Sequence, residues 1–120
     1  MKTILVVDDT PSELELMTRF LKESGFSVIV AMDAKEAMTK AADFNPDVVV
    51  TDVVMPGMSG FELCRTLKKN AATQATPIVV CTSKNQDLDR LWGMKQGADV
   101  YITKPFTQDD LVKAVNSVIG

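Results

Sequence analysis

At 120 residues, 46% hydrophobic and 24% charged, the chain has the size and mix of one globular domain, predicted over residues 1–120 with no output domain. Thirteen Lys and Arg against sixteen Asp and Glu give a net charge of −3 with no basic stripe, which argues against direct nucleic-acid binding; the lack of any histidine removes histidine catalysis, histidine zinc sites and a phosphohistidine-donor role. No apolar run approaches the ~18 residues of a membrane span, and residues 1–9 are too poor in apolar side chains for a secretory leader, so a cytoplasmic protein without membrane insertion is predicted.

The first element is the short β-branched run Ile4-Leu5-Val6-Val7, which suits a strand buried on both faces. Thr10-Pro11-Ser12-Glu13 then opens a helix, with a hydroxyl at the cap, Pro at the first helical position and Glu at the third. Leu14, Met17, Phe20 and Leu21 form its apolar stripe, and Gly25 suits its C-terminal end. Ser27 to Ala31 is a weaker strand, and Asp33-Ala34-Lys35-Glu36 opens a second helix. Pro46 precedes the strand Val48-Val49-Val50. Ser59-Gly60-Phe61-Glu62 starts a third helix, and Pro77 precedes the strand Ile78-Val79-Val80. The fourth helix has a looser start in Ser83-Lys84-Asn85-Gln86, with Asn85 a rival cap, and ends near Gly97. Asp99 to Ile102 is the fifth strand. Thr107-Gln108-Asp109-Asp110 opens the last helix, whose stripe is Leu111, Val115 and Val118.

Strand and helix thus alternate five times. Right-handed crossovers put the helices on both faces of one parallel sheet, and ligands bind beyond the carboxyl ends of its strands. Asp8 and Asp9 follow the first strand, Asp52 the third, Thr82 and Ser83 the fourth, and Lys104-Pro105-Phe106 the fifth. Three carboxylates this close repel one another unless a cation intervenes, and an all-oxygen set suits Mg²⁺, with Mn²⁺ as the alternative. A carboxylate beside a metal and a lysine can attack a phosphoryl group. Each residue also has a plainer explanation. Asp9 or Thr10 could cap the first helix, Asp52 could be a turn acid, Thr82 or Ser83 could cap the fourth helix, and Lys104 could be solvated. Their arrival at one sheet edge, in this order, favours a shared site. Cys64 and Cys81 lack C-x-x-C spacing and read as small buried hydrophobes. The seven methionines read as core filling. Trp92, four residues after Leu88, is either a core anchor or a docking aromatic.

Val6-Val7-Asp8-Asp9, Asp52 with Met55-Pro56-Gly57, Gly60, Thr82, Gly97-Ala98, Tyr101 and Lys104-Pro105-Phe106 together resemble a response-regulator receiver domain of the stand-alone CheY type, over essentially the whole chain. The resemblance implies the doubly wound, flavodoxin-like (βα)₅ fold with strand order 2-1-3-4-5, the order known for this family. It implies that Asp52 accepts a phosphoryl group from a sensor histidine kinase. Asp9 matches the direct Mg²⁺ ligand, Asp8 the acid that binds through water, and Val54 the position whose backbone carbonyl is a ligand. Lys104 matches the partner of the phosphoryl group, with a cis bond to Pro105. Thr82 matches the hydroxyl that moves on activation, and Tyr101 the aromatic that then turns inward. Val54 and Lys84 flank the route of water to the acyl phosphate. Output would pass through the face of the fourth helix, fifth strand and fifth helix, with Leu88, Arg90, Trp92, Tyr101 and Lys113 as contributors, to a separate protein or in a phosphorylation-dependent homodimer. Residues 87–98 loosely resemble receivers of pilus-based twitching motility.

This makes the chain a signalling switch rather than an enzyme. A Mg²⁺-dependent phosphatase with an aspartate nucleophile is the alternative, but such enzymes carry D-x-D after their first strand, and here Val54 stands two residues after Asp52. A flavodoxin-like or nucleotide-binding module is the other competitor, yet neither G-x-x-x-x-G-K-[ST] nor G-x-G-x-x-G follows a strand.

Overall fold

Valine and isoleucine crowd the positions where the sheet forms, because branched side chains pack well on a pleated surface and poorly on a helix. The computed structural model describes residues 1–83 and 86–119. Lys84 and Asn85, and with them the solvent-route role of Lys84 and the rival cap, lie outside the described residues. In chain order the elements are β1 Thr3–Val7, α1 Pro11–Glu23, β2 Ser27–Ala31, α2 Ala34–Phe44, β3 Val48–Thr51, α3 Gly60–Lys69, β4 Ile78–Thr82, α4 Asp87–Lys95, β5 Val100–Thr103 and α5 Gln108–Val118. The sheet order is β2-β1-β3-β4-β5, all parallel, as expected for the doubly wound fold.

Alternation along the inner strands divides the core. Ile4, Val6, Val48, Val50, Val79 and Cys81 face Leu14, Met17 and Leu21 of α1 and Leu111 and Val115 of α5. Leu5, Val7, Val49, Ile78 and Val80 face Ala34, Ala37 and Ala41 of α2 and Leu63, Cys64 and Leu67 of α3. The three central strands, β1, β3 and β4, are buried on both faces, which is why they read as continuous apolar runs. β2 is the edge strand beside β1, and Val30 on it is 38% exposed.

Capping follows the sequence at three helices. Asp33, Ser59 and Thr107 accept from the backbone N–H groups of Glu36, Glu62 and Asp110, and Glu36 and Asp110 reach back to Met32 N and Thr107 N. Two caps differ. Thr10 is the first cap residue, but its hydroxyl makes no capping bond; its N–H donates instead to Asp8 Oδ1 at 3.0 Å. α4 starts after Gln86, not Ser83, and Asp89 closes its first turn by accepting from Gln86 N. Gly25 and Gly97 have φ of 93° and 106° and end their helices as expected. Asn45 does the same for α2 at φ 47°, a left-handed turn that a short amide side chain tolerates.

Cys64 and Cys81 are free and fully buried. Burial pushes the Cys64 thiol up to about 12 and Cys81 higher still, so neither is a reactive thiolate. The methionines divide. Met17 and Met55 are core, Met38 and Met58 pack against it, and Met1, Met32 and Met94 are exposed, which corrects the expectation that they all fill the interior. Trp92 is 52% exposed and does not anchor the core. Among its described residues α4 buries only Gly93, so its apolar side chains Leu88, Leu91 and Trp92 face outward.

Candidate functional site

The register of the sheet decides what meets at its carboxyl edge. Val7 of β1 is level with Thr51 of β3 and with Ala31 of β2. The ladder continues one step past the strands, as Asp8 N donates to Ala31 O and Asp52 N donates to Val7 O. Asp8 and Asp52 are therefore held side by side by main chain, before any side chain acts. Lys104 is fixed in the same way, its N–H donating to Thr82 O at 2.8 Å. The Lys104-Pro105 peptide is cis, as expected.

Asp8, Asp9 and Asp52 bring carboxylate oxygens within 4.8 Å of one another. Asp8 is fully buried, Asp52 is 9% exposed and Asp9 is half-buried. Lys104 Nζ is 2.8 Å from Asp8 Oδ2 and 3.7 Å from Asp52 Oδ2. The other Asp52 oxygen, Oδ1, accepts from Val53 N at 2.7 Å. One carboxylate oxygen of Asp52 is thus pinned by backbone, and the other faces the ammonium. Burial alone would lower the Lys104 pKa, but its hydrogen bond to Asp8 and the charges of Asp52, Asp8 and Glu13 outweigh that, and the net shift is upward from 10.5. A raised lysine pKa means that, while its carboxylate partners are ionised, the pairing contributes stability that is fully present below the ordinary lysine value. That contribution is lost as pH rises through the higher folded value. Lys104 is an ammonium throughout the neutral range.

Three hard oxygen donors from Asp8, Asp9 and Asp52, with one lysine as partial counter-charge, fit a divalent cation of the Mg²⁺ type better than a soft metal. Val54 is 58% exposed on the loop after β3, with its side chain turned out of the core. Thr82 ends β4 and is fully buried. Tyr101 on β5 is already buried, at 7% exposure, although the resemblance had it turning inward only on activation. Its ring fills the space beside Gly93 of α4, where an added Cβ would come within 2.9 Å of both Tyr101 and Phe61. The Arg90 guanidinium lies 5.3 Å from the centre of the Tyr101 ring and donates to Tyr101 O.

A family model described as the response regulator receiver domain matches residues 4–116. The chain belongs to this family. Protein PilH of Pseudomonas aeruginosa is 41% identical over 120 residues, which cover all of this chain and 99% of that protein. Protein PilG of the same organism is 33% identical over 114 residues, 95% of this chain and 84% of that one. The DNA-binding response regulator MtrA of Mycolicibacterium smegmatis is 40% identical over 114 residues, and the chain spans 49% of its length. Among solved structures, the chemotaxis protein CheY4 of Vibrio cholerae superposes with a TM-score of 0.93 at 32% identity, covering 98% of each chain.

Two features of this receiver domain were missed in the sequence. Glu13, read only as part of a helix start, places Oε2 3.7 Å from Lys104 Nζ and is a fourth carboxylate at the site. Its position one helical turn after the acidic pair was the available signal, since the first turn of α1 must pass over the strand ends. Gly60, quoted only as a motif residue, lets α3 start against the Asp52 main chain. Its N–H donates to Val53 O at 2.9 Å, and a Cβ there would collide with the Asp52 carbonyl. The receiver's Asp52 loop is therefore held from both sides, by β1 and by the first turn of α3.

Proposed function

We propose that this receiver domain takes a phosphoryl group from a histidine kinase onto Asp52, with Mg²⁺, and signals the change to a separate protein. One observation carries the reading most: Asp52 has one carboxylate oxygen held by Val53 N–H and the other within 3.7 Å of the Lys104 ammonium, next to Asp8 and Asp9. The Asp52 oxygen nearest Lys104 attacks phosphorus and forms the new O–P bond. The N–P bond of the phosphohistidine breaks, and the imidazole nitrogen keeps the electron pair. Lys104 neutralises charge on the transferred oxygens, and it can turn to them from Asp8 with little movement. Asp8, Asp9, Asp52 and the Val54 carbonyl are the groups that would hold the cation, which would supply further charge neutralisation when bound.

Mixing the protein with acetyl phosphate and Mg²⁺ tests this. Intact-mass spectrometry should show the gain of one phosphoryl group, and chelation with EDTA should prevent it. No mass gain with Mg²⁺ present from either acetyl phosphate or a phosphorylated histidine kinase would refute the switch, and multiple turnover of small phosphomonoesters would favour the phosphatase reading.

The output face is assigned to α4, β5 and α5. A groove of about 440 Å³ runs there between Arg90, Tyr101, Ile102, Phe106 and Lys113, beside the exposed Leu88, Leu91 and Trp92. Full-length similarity to PilH, and similarity to PilG, supports an output in twitching motility of the chemotaxis type. Local chemistry needs a two-state element to reach that face. Thr82 and Tyr101 are the candidates, and Gly93 links the Tyr101 ring to α4. Trp92, the single tryptophan, should change its emission when beryllofluoride and Mg²⁺ are added. Thr82→Ala should reduce that change by about half or more. An equal response in the variant would show that coupling runs by another route.

A further inference from the structure

Among the described residues, Glu13 is the one carboxylate at the site that belongs neither to the three-aspartate cluster nor to a helix cap. It sits in the first turn of α1 with its side chain 36% exposed, and its Oε2 is 3.7 Å from Lys104 Nζ. It also forms part of the wall of a cleft of about 480 Å³ that exposes Asp52 and Lys104, between Thr10, Ser83 and Phe106. Resting on the reading of Asp52 as phosphoacceptor, we propose that Glu13 sets donor specificity: it disfavours small anionic phosphodonors, so that efficient transfer needs a phosphohistidine presented by a protein.

The effect is electrostatic. A free donor such as acetyl phosphate is a dianion, and by this cleft it must bring its charge past Glu13 to reach Asp52. The cation that would attract it, Lys104, is already shared among Asp8, Glu13 and Asp52. A carboxylate so close to the ammonium cancels much of its field at the mouth of the cleft. A protein donor meets the same repulsion, but contacts remote from the reacting phosphorus offset it. A small donor has no such contacts. With acetyl phosphate the Asp52 oxygen forms the new O–P bond, the O–P bond to acetate breaks, and acetate leaves with the electron pair. No proton needs to move, so Glu13 has no part as acid or base and acts through its charge.

Phosphorylation kinetics of Glu13→Gln test the proposal. With acetyl phosphate and Mg²⁺ at low ionic strength, kcat/KM should rise about three- to tenfold, mainly through KM, and the gain should shrink at high salt. Phosphoramidate, a monoanion at neutral pH, should gain only about the square root of that factor, because Coulomb energy is linear in donor charge. Glu13→Lys should exceed Glu13→Gln. Glu15→Gln makes the same change in net charge at an exposed position outside the cleft, and it should leave both rates unchanged. Equal gains for the two donors, or equal gains for Glu13→Gln and Glu15→Gln, would overturn the proposal. A wild-type protein that is phosphorylated while Glu13→Gln reacts no faster also sinks it, alone. A wild-type protein that is never phosphorylated sinks the phosphoacceptor reading, and this one with it.

Discussion

Asp52→Asn is expected to abolish phosphoryl transfer while leaving the fold intact. The amide keeps the shape of the carboxylate, and its carbonyl oxygen can still accept from Val53 N. It lacks the anionic oxygen that would attack phosphorus, so the rate should fall below detection rather than by a modest factor. Stability should change little, by about 1 kcal/mol or less. The variant removes one acceptor at 3.7 Å from Lys104, but the closer bond to Asp8 at 2.8 Å remains. Removing an anion from a cluster of acids also relieves repulsion, which offsets part of the loss. Intact-mass spectrometry after acetyl phosphate and Mg²⁺ reads the first effect, and urea unfolding reads the second. A variant that still gains one phosphoryl group would move the acceptor to another residue. A variant that no longer folds would show that Asp52 serves the structure.

Why so much of the site could be read from sequence follows from the sheet. Short strands buried on both faces appear as unbroken apolar runs, and the residue after each run must lie at the carboxyl edge. Asp8, Asp52 and Lys104 stand there because each directly follows its strand in the chain, which is a local property, and main-chain hydrogen bonds between strands then carry the ladder one step further. Caps at Asp33, Ser59 and Thr107 are local as well. The features that escaped depend on contacts between distant segments. The approach of Glu13 to Lys104 joins α1 to the loop after β5, so its spacing after the acidic pair puts it near the strand ends but leaves the distance to Lys104 to packing. Thr10 shows a different limit, since Asp8 competes for the same region of backbone and accepts from Thr10 N. The inward seat of Tyr101 depends on the missing side chain of Gly93, so a ring on one element is placed by an absence on another. The outward turn of Trp92 could not be read because Leu88, Leu91 and Trp92 have the i, i+3, i+4 spacing of a buried stripe, and only the packing of α4 on β5 through Gly93 settles that this stripe faces water.

Asp9→Ala should act mainly on the cation and spare the fold. Asp9 is half-buried at the edge of the cluster, while Asp8 beside it is fully buried and paired with Lys104. The same lysine approaches Asp52 at 3.7 Å but has no ion pair with Asp9 among the described residues. Asp9 is therefore the acid of the three whose charge is least compensated within the chain. A divalent cation would supply that compensation, and a carboxylate ligand would be a large part of what binds it. Mg²⁺ affinity should fall at least about tenfold, and phosphorylation at a fixed, low Mg²⁺ concentration should fall with it. In EDTA the sign reverses. Without a cation Asp9 only repels Asp8 and Asp52, so its removal should leave stability unchanged or raise it by a few tenths to about 1 kcal/mol. Mg²⁺ affinity should therefore fall while stability in EDTA does not, with Mg²⁺ titration read by Trp92 emission or calorimetry and stability read by urea unfolding in EDTA. Equal Mg²⁺ affinity in the two proteins would remove Asp9 from the metal site. A large loss of stability in EDTA would instead mean that Asp9 holds the loop after β1 together and that its place in the cluster is structural.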